Sequence, residues 1–183
     1  MRSVILGLAL GAIIPLSALA VTVDVDAAGN SVNNDSGPVN GASTGVILNV
    51  GDSFSVLASI TDDWQLCFGH PTDPDGCAVN ADGKRTLDNT TFFTYTLGDL
   101  SAVVGTLVGS IGAGPYFAIG TSFSGVADVS GELKLFAWDT DSNNNNGTIA
   151  ATVTKVAAIP LPTSGALLVF AALGGLAALR RSR

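Results

Sequence analysis

Asp139, Asp141 and the run Asn143-Asn144-Asn145-Asn146 gather two carboxylates and four side-chain amides within about eight residues. All offer hard oxygen donors, the kind that Ca²⁺ collects six to eight at a time. Three readings fit such a stretch. Asp, Asn and Gly fill polar turns because their side chains bond the local backbone, so the stretch could be a turn and nothing more. A helical calcium loop fails, because the twelfth position from Asp139 is Ala150 rather than a bidentate acid and both flanks have strand character. The third reading is a calcium site in a loop between sandwich strands, where a tight Asn-Asn-Gly turn aims several oxygens at one point. This third reading is adopted.

The other chemistry-bearing residues lie between 61 and 87. Cys67 and Cys77 are the only cysteines, and His70 between them is the only histidine. A Cys/His metal site lacks the third thiolate or second histidine of the usual zinc set. A disulfide is expected instead, closing a loop worth about 3 kcal/mol in the chain-entropy treatment. Asp73 and Asp75 form a carboxylate pair of the kind glycosidases use, but two acids in one turn are common without that role. With no nucleophile beside an evident activating base, the expectation is a protein that is not an enzyme.

These residues need elements to hold them. Leu133, Leu135 and Ala137 alternate with Lys134, Phe136 and Trp138, a period-2 pattern that predicts a strand with one buried face leading into Asp139. The pattern resumes over 148–154. Further strands are expected at 21–26, 45–50, 54–60, 92–96, 103–111, 116–119 and 123–126, with Gly51-Asp52-Ser53 as the turn of a hairpin. Residues 27–43 are expected to form an exposed connection, and 61–87 an irregular loop ordered by the cysteines. Short strands rich in Val, Thr and Phe, with no convincing helix, predict an all-β fold, a small antiparallel β-sandwich.

The two ends differ from this domain. Met1-Arg2, an apolar run over 4–19 and the small-x-small exit Ala18-Leu19-Ala20 predict a signal peptide over 1–20, cut by signal peptidase. At the other end, Ile159-Pro160-Leu161-Pro162 precedes an apolar segment of about 15 residues, a marginal transmembrane-type helix, closed by Arg180-Arg181-Ser182-Arg183. Residues 159–183 resemble the PEP-CTERM class of sorting signals in its VPLPA variant, with Ile159 for Val and Thr163 for Ala. The resemblance implies passage across the inner membrane of a Gram-negative-type bacterium and recognition by an exosortase. The expected product is exported: a membrane-anchored precursor first, then a cell-surface or extracellular-matrix protein. The intervening domain, 21–158, holds all fifteen acidic residues against Lys84, Arg85, Lys134 and Lys155, a net charge of about −11. Such a surface excludes nucleic acid as an expected partner and suits a cation.

Several runs of the domain are similar to the galactophilic PA-I-type family of small calcium-dependent lectins. They are Ser43 to Asp52, Val56-Leu57-Ala58-Ser59, His70-Pro71, Pro74-Asp75-Gly76, Val104 to Gly112, and the loop from Trp138-Asp139 to Gly147. The resemblance implies a sandwich of jelly-roll-like, galactose-binding-like type, with calcium bound by Asp139, by the pair Asn144-Asn145 and by the backbone carbonyl of Trp64, and with Asp141 as a second carboxylate. It implies that sugar hydroxyls complete the coordination, so that Asp139 and Asn144 also serve the sugar. His70, with Asp73 standing where the family has Gln, would hydrogen-bond it. The Asp139–Gly147 loop is about two residues shorter than in the sugar-binding members. The function expected is an exported carbohydrate-binding module for a galactose-type glycan, and the alternative is a structural envelope or biofilm-matrix protein of the same fold.

Overall fold

The computed structural model describes residues 18–33, 39–69 and 77–156. They form twelve strands: β1 (Ala18–Asp26), β2 (Ala42–Leu48), β3 (Ser53–Ala58), β4 (Trp64–Gln65), β5 (Ala78–Val79), β6 (Thr94–Leu97), β7 (Leu100–Val103), β8 (Leu107–Ile111), β9 (Phe117–Ala118), β10 (Ser122–Val126), β11 (Gly131–Ala137) and β12 (Thr148–Val156). No helix occurs among the described residues, so none there is long and apolar enough to cross a membrane. β1 takes in 18–20, the last three residues of the expected leader, paired with 154–156. The remainder of that leader and the expected sorting residues Pro160, Pro162, Arg180 and Arg181 lie outside the described residues.

Two four-stranded sheets carry the fold, in the orders β1-β12-β3-β10 and β2-β11-β8-β9, and all neighbours within them run antiparallel. Period-2 alternation sends Val46 and Leu48 of β2, Phe54 and Val56 of β3, Leu133 and Leu135 of β11, and Ile149 and Val153 of β12 into one shared core. Each fully buried aliphatic side chain of this kind contributes about 1.5–3 kcal/mol, which makes the sandwich a rigid frame for its loops.

The structure departs from the expectations in four places. β2 and β3 do not form a hairpin, because they belong to different sheets. Gly51 at φ 92° and the Asp52 N–H to Asn49 C=O bond (2.9 Å) build a turn there, but it arches across the sandwich. The stretch 103–111 is two strands: β7 ends at Val103 as half of a hairpin with β6, and Gly105 at φ 90° turns the chain into β8. β11 is buried on both faces. Phe136 and Trp138 point away from the shared core, yet with Val108 and Val32 they form a second apolar cluster, covered by Tyr95, Leu97, Leu100 and Ala102 of the β6–β7 hairpin. That hairpin is a third layer, which alternation within β11 cannot announce.

The connection 27–43 is also less exposed than expected. Ala27, Ser31 and Val32 are buried, and 30–32 runs beside the end of β11, with Val32 N–H on the Ala137 carbonyl and Ala137 N–H on the Asn30 carbonyl (3.0 Å each). β2 pairs with β11 only as far as Leu135, so the last ladder groups of β11 need another partner and find it here. Within 61–87, β4 and β5 pair with each other, and Cys67 is bonded to Cys77 across Cα atoms 5.4 Å apart.

Candidate functional site

β11 delivers Asp139 to the edge of the sandwich at the start of the second arch, the crossing from β11 to β12. Its carboxylate is 5% exposed. One oxygen accepts the Thr140 N–H (2.6 Å) and the other accepts the Asn145 side-chain N–H (2.7 Å). Burial nevertheless pushes its pKa above the usual carboxylate value, against those hydrogen bonds and a backbone one from Asp141, with the Asp141 charge adding to the rise. No basic side chain faces it among the described residues. Asn145, 8% exposed, also donates to the Ala27 carbonyl (3.3 Å), while its own amide oxygen is buried without a hydrogen-bond partner. Leaving such an acceptor unsatisfied costs about 1–3 kcal/mol.

The arch is held in place along its length. Gly147 sits at φ 88°, and a Cβ there would come within 3.0 Å of the Asp63 carbonyl, so the turn needs glycine for both conformation and space. Asn146 and Gln65 exchange backbone hydrogen bonds (2.8 and 2.9 Å), and the Phe68 N–H bonds the Asn144 carbonyl (2.7 Å). The Ala27 N–H bonds the Gly147 carbonyl (3.0 Å), and the Asn33 amide donates to the Thr140 carbonyl. Asp141 uses one oxygen to accept the Asn143 N–H (2.9 Å).

Beside the arch is a cleft of about 160 Å³ with a mixed lining. Asp139, Thr140, Asp141 and Asn144 are its polar lining residues; Leu66, Cys67 and Cys77, Phe92, Phe93 and Val104 are the apolar ones. Of the residues expected from sequence, Asp139 and Asn145 touch, Asn144 lines the cleft, and Asp141 lines it from an exposed position. Trp64 is fully buried and its indole N–H is engaged by the Val25 carbonyl (3.0 Å), which leaves only its backbone for a ligand role. That backbone runs beside Gly147, whose added Cβ would lie 3.7 Å from the Trp64 Cα. His70 and Asp73 lie outside the described residues, as does Asp75, although Cys67 and Cys77 on either side of them line the cleft.

Phe92 and Phe93 escaped the sequence reading as site residues. Their signal was two adjacent aromatics at the start of a strand, where alternation lets only one face the core. Among the described residues, no group of three or more His, Cys, Asp or Glu side chains gathers as a metal set. The donors at the arch are instead carboxylate, amide and carbonyl oxygens, a chemistry that suits Ca²⁺ and not Zn²⁺.

No protein-family model matches the chain, and neither does any curated protein. Among solved structures it is similar to one described as "EclA N-terminal domain; PllA-like lectin", at 19% sequence identity, over 74% of this chain and 95% of that one, with a TM-score of 0.48.

Proposed function

We propose that this chain is a non-enzymatic carbohydrate-binding module that works through a calcium ion. The observation that carries the reading is the pairing of Asp139, buried with no basic side chain facing it among the described residues, with Asn145, whose buried amide oxygen has no hydrogen-bond partner among them. A divalent cation would satisfy both. Asp139, Asp141, Asn144, Asn145 and the Trp64 carbonyl would hold it, and calcium when bound would supply coordination positions for sugar hydroxyls. The chain's own part is to fix these donors: Thr140 and Asn145 hold the Asp139 carboxylate, and Gly147 and Gln65 set the arch that carries the asparagines. A galactose-type glycan is the ligand class, with His70 and Asp73 as further contacts.

A second reading has its own support. Both Asp139 oxygens already accept hydrogen bonds and the arch is latched without any ligand, as a structural envelope or matrix protein would require. Glycan-array binding of the full-length chain, with calcium and then with chelator, separates the two. Calcium-dependent binding supports the module. No binding in either condition leaves the structural reading.

Export belongs to the same proposal. The Cys67–Cys77 bond suits an oxidising compartment, and the leader and the Pro160-Leu161-Pro162 segment with its Arg cluster suit signal peptidase and exosortase as processing partners. Replacing Arg180, Arg181 and Arg183 with Ser should disturb membrane orientation and processing. Unchanged delivery to the cell surface would refute the sorting assignment.

A further inference from the structure

We infer that Phe93 is an aromatic platform for the C–H face of a single sugar ring seated in the cleft, on a segment that Phe92 anchors to the core; this rests on the carbohydrate reading. Phe93 lines the cleft and is 61% exposed, whereas Phe92 beside it packs against the core. The Arg85 guanidinium carbon lies 5.9 Å from the centre of the Phe92 ring, a further hold on that anchor. The lining of the cleft thus combines carboxylate, hydroxyl and amide side chains with aromatic, aliphatic and disulfide ones. A ligand that suits both must carry hydroxyls on one side and a contiguous C–H surface on the other. A pyranose ring has this shape. At about 160 Å³ the cleft is smaller than the ~300–1,000 Å³ typical of drug-sized ligands, so it seats one ring and not a chain.

The polar and apolar lining residues share one reference point. The Val104 N–H bonds the Phe93 carbonyl (3.1 Å), and two residues further on the Tyr95 carbonyl accepts the indole N–H of Trp138 (3.2 Å), the Tyr95 ring lying 5.4 Å from the indole. Trp138 immediately precedes Asp139. The spacing between platform and carboxylate is therefore fixed through a buried side chain and does not depend on ligand, so the ring pays little ordering cost when it enters.

The test is calorimetry on the full-length chain. CaCl₂ is titrated alone, and then the methyl glycosides of galactose, mannose, fucose and N-acetylglucosamine are titrated at saturating calcium. Phe93→Ala should weaken the tightest-binding glycoside about tenfold, the loss of roughly 50 Å² of apolar contact at ~25 cal/mol per Å². It should leave calcium affinity and melting temperature unchanged, and Phe93→Trp should restore sugar affinity. Asp139→Asn should lose both calcium and sugar. Sugar affinity unchanged in Phe93→Ala overturns the platform and leaves the carbohydrate reading standing. A wild-type chain that binds none of the four glycosides at saturating calcium overturns the reading, and the platform falls with it.

Discussion

Of the connections that cross from one sheet of this sandwich to the other, the β2–β3 and β11–β12 arches each carry an aspartate that is 5% exposed. In the β2–β3 arch, Asp52 accepts the Asn49 N–H (2.8 Å) and meets the Lys155 ammonium at 2.9 Å, so its charge is cancelled inside the protein. In the β11–β12 arch, Asp139 has hydrogen bonds of similar quality but no basic partner among the described residues, and an orphaned amide oxygen lies in the residue it bonds. The difference separates a finished latch from an incomplete one. A buried carboxylate that no basic side chain among the described residues faces is costly to keep charged, and the proposed calcium ion is what would offset that cost.

The largest expected effect tests that contrast directly. Calcium at a hundredfold excess over its Kd should stabilise the chain by about 2.7 kcal/mol, a rise in Tm of roughly 5–10 °C. Asp139→Ala should abolish the rise without unfolding the sandwich, whereas Asp52→Ala should keep it. A melting curve indifferent to calcium and to chelator would erase the distinction between the arches. Next in size is Lys155→Met, which strands the Asp52 charge. It should cost about 2 kcal/mol in denaturant unfolding, less than a fully buried pair because Lys155 retains some solvent, and should leave the calcium response intact. A calcium response lost with Lys155 would mean that the arches are coupled.

The smallest effect comes from the two turn glycines, Gly51 at φ 92° and Gly147 at φ 88°. Ala at Gly51 meets nothing within 4 Å and should cost about 1 kcal/mol from backbone strain alone. Ala at Gly147 adds a 3.0 Å approach to the Asp63 carbonyl and should cost about 2 kcal/mol, with weakened calcium binding because the asparagines move. Equal costs at the two positions would argue that the second arch can shift freely.

The elements legible in the sequence are those whose partners impose a simple period. β3, β11 and β12 alternate because one face meets the shared core, and the Asp139 arch is readable because its composition is local. What eluded the sequence depends on distant chain. Nothing near Gly51 reveals that β2 and β3 pair with different strands, since a tight turn serves an arch as well as a hairpin. Phe136 and Trp138 look like a solvent face until the β6–β7 hairpin is laid over them. The same holds for the site: Asp139 and the asparagines lie in one stretch, but the cleft exists only where Phe92, Phe93 and the disulfide arrive from sequence positions far from that arch.

β1 and β12 meet over their full length, and the hydroxyls of Thr22 and Thr152, 130 positions apart, lie 2.8 Å from each other. The first strand of the sheet is thus an edge whose neighbour is the last strand, and β12 also separates it from β3. Contacts so distant in sequence are closed late and slowly, because the loop entropy must be met before the ladder rewards it. While the chain is being synthesised, β1 has no ladder to join and β3 lacks one of its two, so native pairing of this sheet waits for the last strand to emerge. A chain that cannot finish folding until it is whole remains threadable in the meantime, which is the state that a narrow export channel would require.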